Sequence, residues 1–141
     1  MTVIIDTSFY IALLDPTDKH YTRAPEILAE LRSGALGRAC TTSLVMAECA
    51  TLIAIRTRKN TIAIEGMRKM FVGEECIAQL LRPSESTETK AWNLFIKINQ
   101  DNKDRTMSYV DCTNVVLARQ HHVSAIVAFD GHYDAWIRCV R

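Results

Sequence analysis

Paired cysteines are missing from this chain. Cys40, Cys49, Cys76, Cys112 and Cys139 are odd in number, widely scattered and include no CxxC. That argues against a disulfide framework or a structural zinc site and points to a reducing compartment. None of the four histidines, His20, His121, His122 and His132, has metal-ligand spacing to a cysteine. A dominant charge is missing too. The net charge is +1, so any polyanion must be gripped by local clusters rather than by a global field. No apolar run approaches the ~20 residues that span a bilayer, and no basic n-region with an apolar h-region opens the chain. A soluble, cytoplasmic protein with no membrane partner is expected. Repeats, low-complexity tracts and linkers are also lacking, so a single domain over 1–141 is expected.

What is present alternates. Val3-Ile4-Ile5 reads as a short buried strand near 2–6, followed by a helix near 8–14 that Asp15-Pro16 breaks. Ala24, Ile27, Leu28 and Leu31 stripe a helix from about 19 to 33, ending at Gly34. A strand near 38–41 leads into the long helix SLVMAECATLIAIRTRK, and TIAIEGMRKMF is a further helix weakened by Gly66. Then come a strand at 76–81, the helix ESTETKAWNLFIKINQ, the polar loop DNKDRT, the helix SYVDCTNVVLARQHH, the strand SAIVAF and a closing turn and strand. This order predicts an α/β fold: three layers, α/β/α, around a central, mostly parallel sheet.

Four acids stand out, each with a purely structural explanation beside the chemical one. Asp6 ends the first strand, where open α/β sheets place their active sites; it is equally a helix cap, with Thr7 and Ser8 after it. Glu48 lies among Leu44, Val45, Thr51, Leu52 and Ile55 at helical spacing, where an unpaired charge is costly. It either reaches out to the rim, pairs with a cation such as Arg56, or contributes to a metal site. Asp111 fits a capping box with Ser108, yet Ser108, Asp111 and Asn114 also form one polar face on an apolar helix. Asp130 ends a strand as Asp6 does, although Asp-Gly is a common turn; Asp134 could serve instead of it or beside it. Two strand ends and two helix starts can converge at one edge of a parallel sheet. Clustered carboxylates raise one another's pKa, a divalent cation relieves that, and oxygen ligands suit Mg²⁺ or Mn²⁺ over zinc.

IIDTSF, the isolated acid in TSLVMAECATL, SYVDCTNVVLAR and VAFDGHY, in that order, resemble the PIN-domain nucleases, and among them the small VapC-type toxins of toxin–antitoxin pairs. The resemblance covers nearly the whole chain and implies a PIN-like nuclease domain. It carries the family's acidic quartet onto Asp6, Glu48, Asp111 and Asp130, and its small hydroxyl onto Thr7, with Ser108 and Asn114 as polar neighbours. It also implies Mg²⁺ or Mn²⁺ as cofactor, RNA as substrate, a homodimer and a small neutralising antitoxin.

The chemistry fits the residues as well. Phosphodiester hydrolysis needs an attacking hydroxide, in-line geometry and neutralisation of charge developing on phosphate, which carboxylate-held metal ions supply. Asp6 and Asp111 are then the main ligands, Glu48 and Asp130 further ligands or anchors for water, and Thr7 or Ser108 orients water or a phosphate oxygen. Such a route leaves 5′-phosphate ends. Attack by the RNA's own 2′-hydroxyl would want an acid/base pair, and His121 and His122, adjacent on a helix, do not share a face. Arg56, Arg58 and Lys59, with Arg68, Lys69, Lys103 and Arg105, are candidates for the RNA backbone; a solvated helix end explains Arg58 and Lys59 as well. A PIN-like module that binds RNA or protein without cutting is the alternative. A haloacid-dehalogenase-like phosphatase wants Asp two positions after the first acid, where Ser8 stands. A receiver domain wants an acid at a middle strand end, and CIAQLLRP offers none.

Overall fold

The computed structural model describes residues 1–101 and 104–141. β1 (Thr2–Ile5) is fully buried over Val3, Ile4 and Ile5, each worth about 1.5–3 kcal/mol of burial. It sits at the centre of a five-stranded sheet in the order β3-β2-β1-β4-β5, with β2 at Arg38–Thr42, β3 at Gln79–Leu81, β4 at Ala125–Val127 and β5 at Cys139–Val140. Every pairing is parallel; Val3 sits opposite Ala39 on one side and Ala125 on the other. Parallel strands need crossovers, and helices supply them: α1 (Thr7–Leu14), α2 (Ala24–Arg32), α3 (Ser43–Arg56), α4 (Thr61–Phe71), α5 (Glu85–Asp101) and α6 (Tyr109–Gln120).

The strand period of two sorts the core into two layers. Val3, Ile5, Ala125 and Val127 face one cluster built with Phe9 and Tyr10 of α1, Ile27 of α2, Val45 and Ile53 of α3 and Phe71 of α4. Ile4 and Ile126 face another, built with Val115 and Leu117 of α6 and with Leu94, Phe95 and Ile98 of α5. This is the expected three-layer α/β/α fold. The chain walks outward from β1 to β3, then crosses back to place β4 on β1's other edge. That reversal opens a crevice beyond the carboxyl ends of β1 and β4, the place where open α/β sheets bind ligands.

Several boundaries differ from the sequence reading. The second helix begins at Ala24, not near 19. The preceding residues are held in turns instead, with the Asp15 and Asp18 side chains accepting from the backbone N–H groups of Thr17 and His20. α3 ends at Arg56, because Arg58 and Lys59 both adopt positive φ (54° and 61°). α6 ends at Gln120, since His122 has φ 51°. β3 begins at Gln79 rather than 76. Lys103, in the polar loop, lies outside the described residues. Among the described residues no helix is long and apolar enough to cross a membrane.

Candidate active site

Asp6 follows β1 and caps α1: its Oδ2 accepts from the Ser8 N–H at 3.2 Å and the Ser8 hydroxyl at 2.9 Å. Ser8 Oγ in turn accepts from the Phe129 N–H at 3.0 Å, and the Asp6 N–H donates to Val127 at 3.0 Å. The ends of β1 and β4 are thereby tied together. Across the crevice Asp111 completes the capping box expected from the sequence, Ser108 Oγ accepting from its N–H at 3.0 Å and its Oδ2 accepting from the Ser108 N–H at 3.2 Å. The structural explanation of both acids, as caps of α1 and α6, is therefore present in the fold.

One phenol joins them. The Tyr133 hydroxyl lies 2.8 Å from Asp6 Oδ1 and 2.8 Å from Asp111 Oδ1, and accepts from Asn114 Nδ2 at 3.0 Å. Asn114 Nδ2 also reaches Asp6 Oδ1 at 3.3 Å. Tyr133 and Asn114 are fully buried, Asp6 is 4% exposed and Asp111 8%. A hydroxyl has one proton to donate, so with both carboxylates ionised one of the two short contacts has none. Burial and the neighbouring charge of Asp111 push the Asp6 carboxyl up to about 6, against the pull of the Tyr133 and Ser8 hydrogen bonds. Burial and the two acids hold the Tyr133 phenol well above its usual range, so it stays neutral and donates. Among the described residues the buried Asn114 Oδ1 atom has no hydrogen-bond partner. Five acids, Asp6, Asp18, Glu48, Asp111 and Asp130, border the pocket against the single guanidinium of Arg56.

Glu48 and Asp130 border the same cavity, about 260 Å³ in volume, with Asp6, Thr7, Ser108, Asp111, Arg56 and His132. Thr7 donates to Glu48 Oε2 at 2.5 Å, fastening α1 to α3. Glu48 therefore does not pair with Arg56, whose guanidinium is 3.6 Å from buried Asp15 and 3.3 Å from Asp18. Asp130 caps the 3₁₀ turn Gly131–Tyr133 by accepting from the His132 N–H at 2.8 Å. The His132 ring Nδ1 stands 3.2 Å from Asp130 and 3.3 Å from Asp111, linking the two acids. Asp134 forms a close ion pair with Arg141, which keeps its carboxyl low, and lines a neighbouring cavity instead. Arg105 lines that second cavity, and Arg58 and Lys59 line neither. Arg68 and Lys69 are engaged with Glu65 and Glu75. Tyr133 was not singled out in the sequence, and His132 only as a histidine without metal-ligand spacing to a cysteine; their one signal was their place in FDGHYD, just after a strand-end acid.

The profile of the PIN domain matches residues 3–135, which include Asp6, Glu48, Asp111 and Asp130. The chain belongs to the PIN domain family. This PIN domain is similar in fold to VapC20 of Mycobacterium tuberculosis, a sarcin–ricin-loop-cleaving toxin, with TM-score 0.77 and 22% identity over 94% of this chain and 93% of that one. It is also similar to FitAcB of Neisseria gonorrhoeae (TM-score 0.66, 14% identity, 99% and 96% covered). VapBC2 of Rickettsia felis, bound to a DNA fragment from its promoter, gives TM-score 0.65 and 13% identity over 99% of this chain and 98% of that one. No curated protein sequence matches the PIN domain described here.

The donor set of this PIN domain suits a hard divalent cation. Its acids offer only oxygens, the two carboxylates of Asp6 and Asp111 share one phenol, and among the described residues a buried amide oxygen, Asn114 Oδ1, is unpartnered. Among the described residues no three acidic, histidine or cysteine side chains stand close enough to cage an ion unaided. Mg²⁺ fits such a site, because it binds through one or two carboxylates and keeps several waters.

Proposed function

We propose that this PIN domain is a divalent-metal-dependent endoribonuclease and acts as the toxin of a toxin–antitoxin pair. The observation that carries the reading is the pair Asp6 and Asp111 at the β1/β4 switch point, gathered on one phenol, with Glu48 and Asp130 bordering the same cavity. Mg²⁺ or Mn²⁺ held by Asp6 and Asp111 would supply a nucleophile at neutral pH and neutralise charge on the phosphate. The chain's own residues do the rest. Thr7 aims Glu48 at the cavity, His132 and the 3₁₀ turn hold Asp130 at its rim, and Ser108 fixes Asp111. Arg56, pinned by Asp15 and Asp18, presents a cation to the phosphate backbone; Arg58, Lys59 and Lys103 contribute to longer-range attraction for RNA.

The likeness to VapC20, and to proteins such as VapBC2, supports the toxin role and a small antitoxin as partner. A homodimer in the cytoplasm, each chain a single domain over 1–141, belongs to the same reading. Expression in a bacterial host is expected to arrest growth, Asp111→Asn to abolish the arrest, and co-expression of a small neighbouring open reading frame to relieve it. Growth equal to that with Asp111→Asn would overturn the toxin role. One observation favours a silent binding module: with the Tyr133 proton on Asp111 Oδ1 and Asn114 Nδ2 donating to Asp6 Oδ1, every carboxylate oxygen of Asp6 and Asp111 accepts a hydrogen bond within the chain. That reading predicts RNA or protein bound and never cut.

A further inference from the structure

The turn that carries Asp130 separates two cavities. The carboxylates border one; the other, about 220 Å³, is lined by Ile98, Arg105, Met107 and Trp136 among others. His132 lines both and forms the partition between them. The chemistry proposed above makes no use of the second cavity.

Its lining combines what single-stranded RNA binds, an aromatic face, a guanidinium and an apolar floor, with one carboxylate, Asp134, whose charge Arg141 pairs. Trp136 remains 37% exposed although the apolar Ile98 and Met107 line the same cavity. The Arg119 guanidinium stands 5.3 Å from its ring centroid, which steadies the indole as a platform. Arg105 sets a cation in the lining. Trp136 thus keeps ring surface open in a cavity that shares His132 with the one the carboxylates border.

We propose that the second cavity is a nucleobase subsite. A base of single-stranded RNA beside the scissile phosphate leaves its stack, passes His132 and stacks on Trp136, while Arg105 meets the adjoining phosphate. Unstacking costs least in a strand that is already unpaired, so the subsite selects loops over duplex. The scissile phosphate in this statement comes from the nuclease reading above; the binding itself needs no cleavage.

The chain has two tryptophans, so Trp92→Phe leaves Trp136 as the only indole. Titrating that protein in EDTA with a short single-stranded RNA of mixed sequence is expected to quench its fluorescence saturably. Arg105→Ala should raise the half-saturation point about tenfold. In cleavage assays Trp136→Ala should raise KM about tenfold and shift the preferred positions, the loss falling on KM rather than kcat, and Trp136→Phe should restore both. Absence of quenching overturns the subsite, as does a folded Trp136→Ala protein that cuts the same positions with wild-type KM. Quenching of the Trp92→Phe protein, with no RNA cut by wild type, would leave the subsite standing and remove the nuclease reading. Cleavage without quenching would do the reverse.

Discussion

Asp6 and Asp111 meet on a single phenol: the Tyr133 hydroxyl is 2.8 Å from an oxygen of each. The contact fixes the relative positions of two acids delivered by a strand end and a helix start on opposite sides of the crevice. Groups that orient metal ligands in this way typically contribute 10–100-fold to affinity. Tyr133→Phe keeps the buried ring and removes the clasp, so Mn²⁺ binding, followed by calorimetry or electron paramagnetic resonance, should weaken by about that factor. Unchanged affinity would reduce Tyr133 to a packing residue.

Stability without metal should carry the signature of Asp6. Its folded pKa, about 6, lies above the 3.8 ordinary for an aspartate. The native state therefore binds more protons between those values, and this contribution to stability is present at low pH and lost as pH rises through 6. The difference amounts to an order-of-magnitude 3 kcal/mol at most. In urea titrations with EDTA, wild type should gain on Asp6→Asn as the pH falls from 7.5 to 4. A constant difference between the two proteins would contradict the raised pKa.

In the proposed nuclease Thr7 would act through Glu48, to which it donates. Thr7→Val removes the hydroxyl that aims the carboxylate, and RNA cleavage should fall about tenfold, the cost of roughly one misplaced hydrogen bond to a charged group. Circular dichroism should show the fold intact. Full activity would mean that Glu48 does not need this orientation.

The fourth acid should be Asp130. It borders the acid cavity and touches His132, whereas Asp134 pairs with Arg141 outside it. Asp130→Asn is expected to reduce cleavage more than Asp134→Asn does, measured side by side at saturating Mg²⁺. The opposite order would move the role to Asp134.

Much of this was legible in the sequence, for identifiable reasons. Val3-Ile4-Ile5 and AIV are short apolar runs that only buried strands tolerate, and their order with the helices set the parallel architecture. Asp6 stood out because it ends an apolar strand, and Asp111 because it shares the one polar face of an apolar helix with Ser108 and Asn114. The boundaries were harder to see. Asp15 and Asp18 turn the backbone with their own side chains, which removes a first helical turn that the apolar stripe did not forbid. Tyr133 escaped notice because a buried tyrosine reads as core until its hydroxyl's partners are known, and those partners lie far away in the chain. Glu48 was left among the rim, a salt bridge and a metal site; the hydroxyl that holds it comes from Thr7, on another helix.

The most direct test of the central claim compares purified wild type with Asp6→Asn on total cellular RNA, in Mg²⁺ or Mn²⁺ and again in EDTA, with cleavage ends mapped. The account predicts discrete cuts by wild type alone, bearing 5′-phosphate ends and abolished by EDTA. Equal cutting by both proteins, or none by either with any metal, would contradict it and leave Asp6 as the cap of α1.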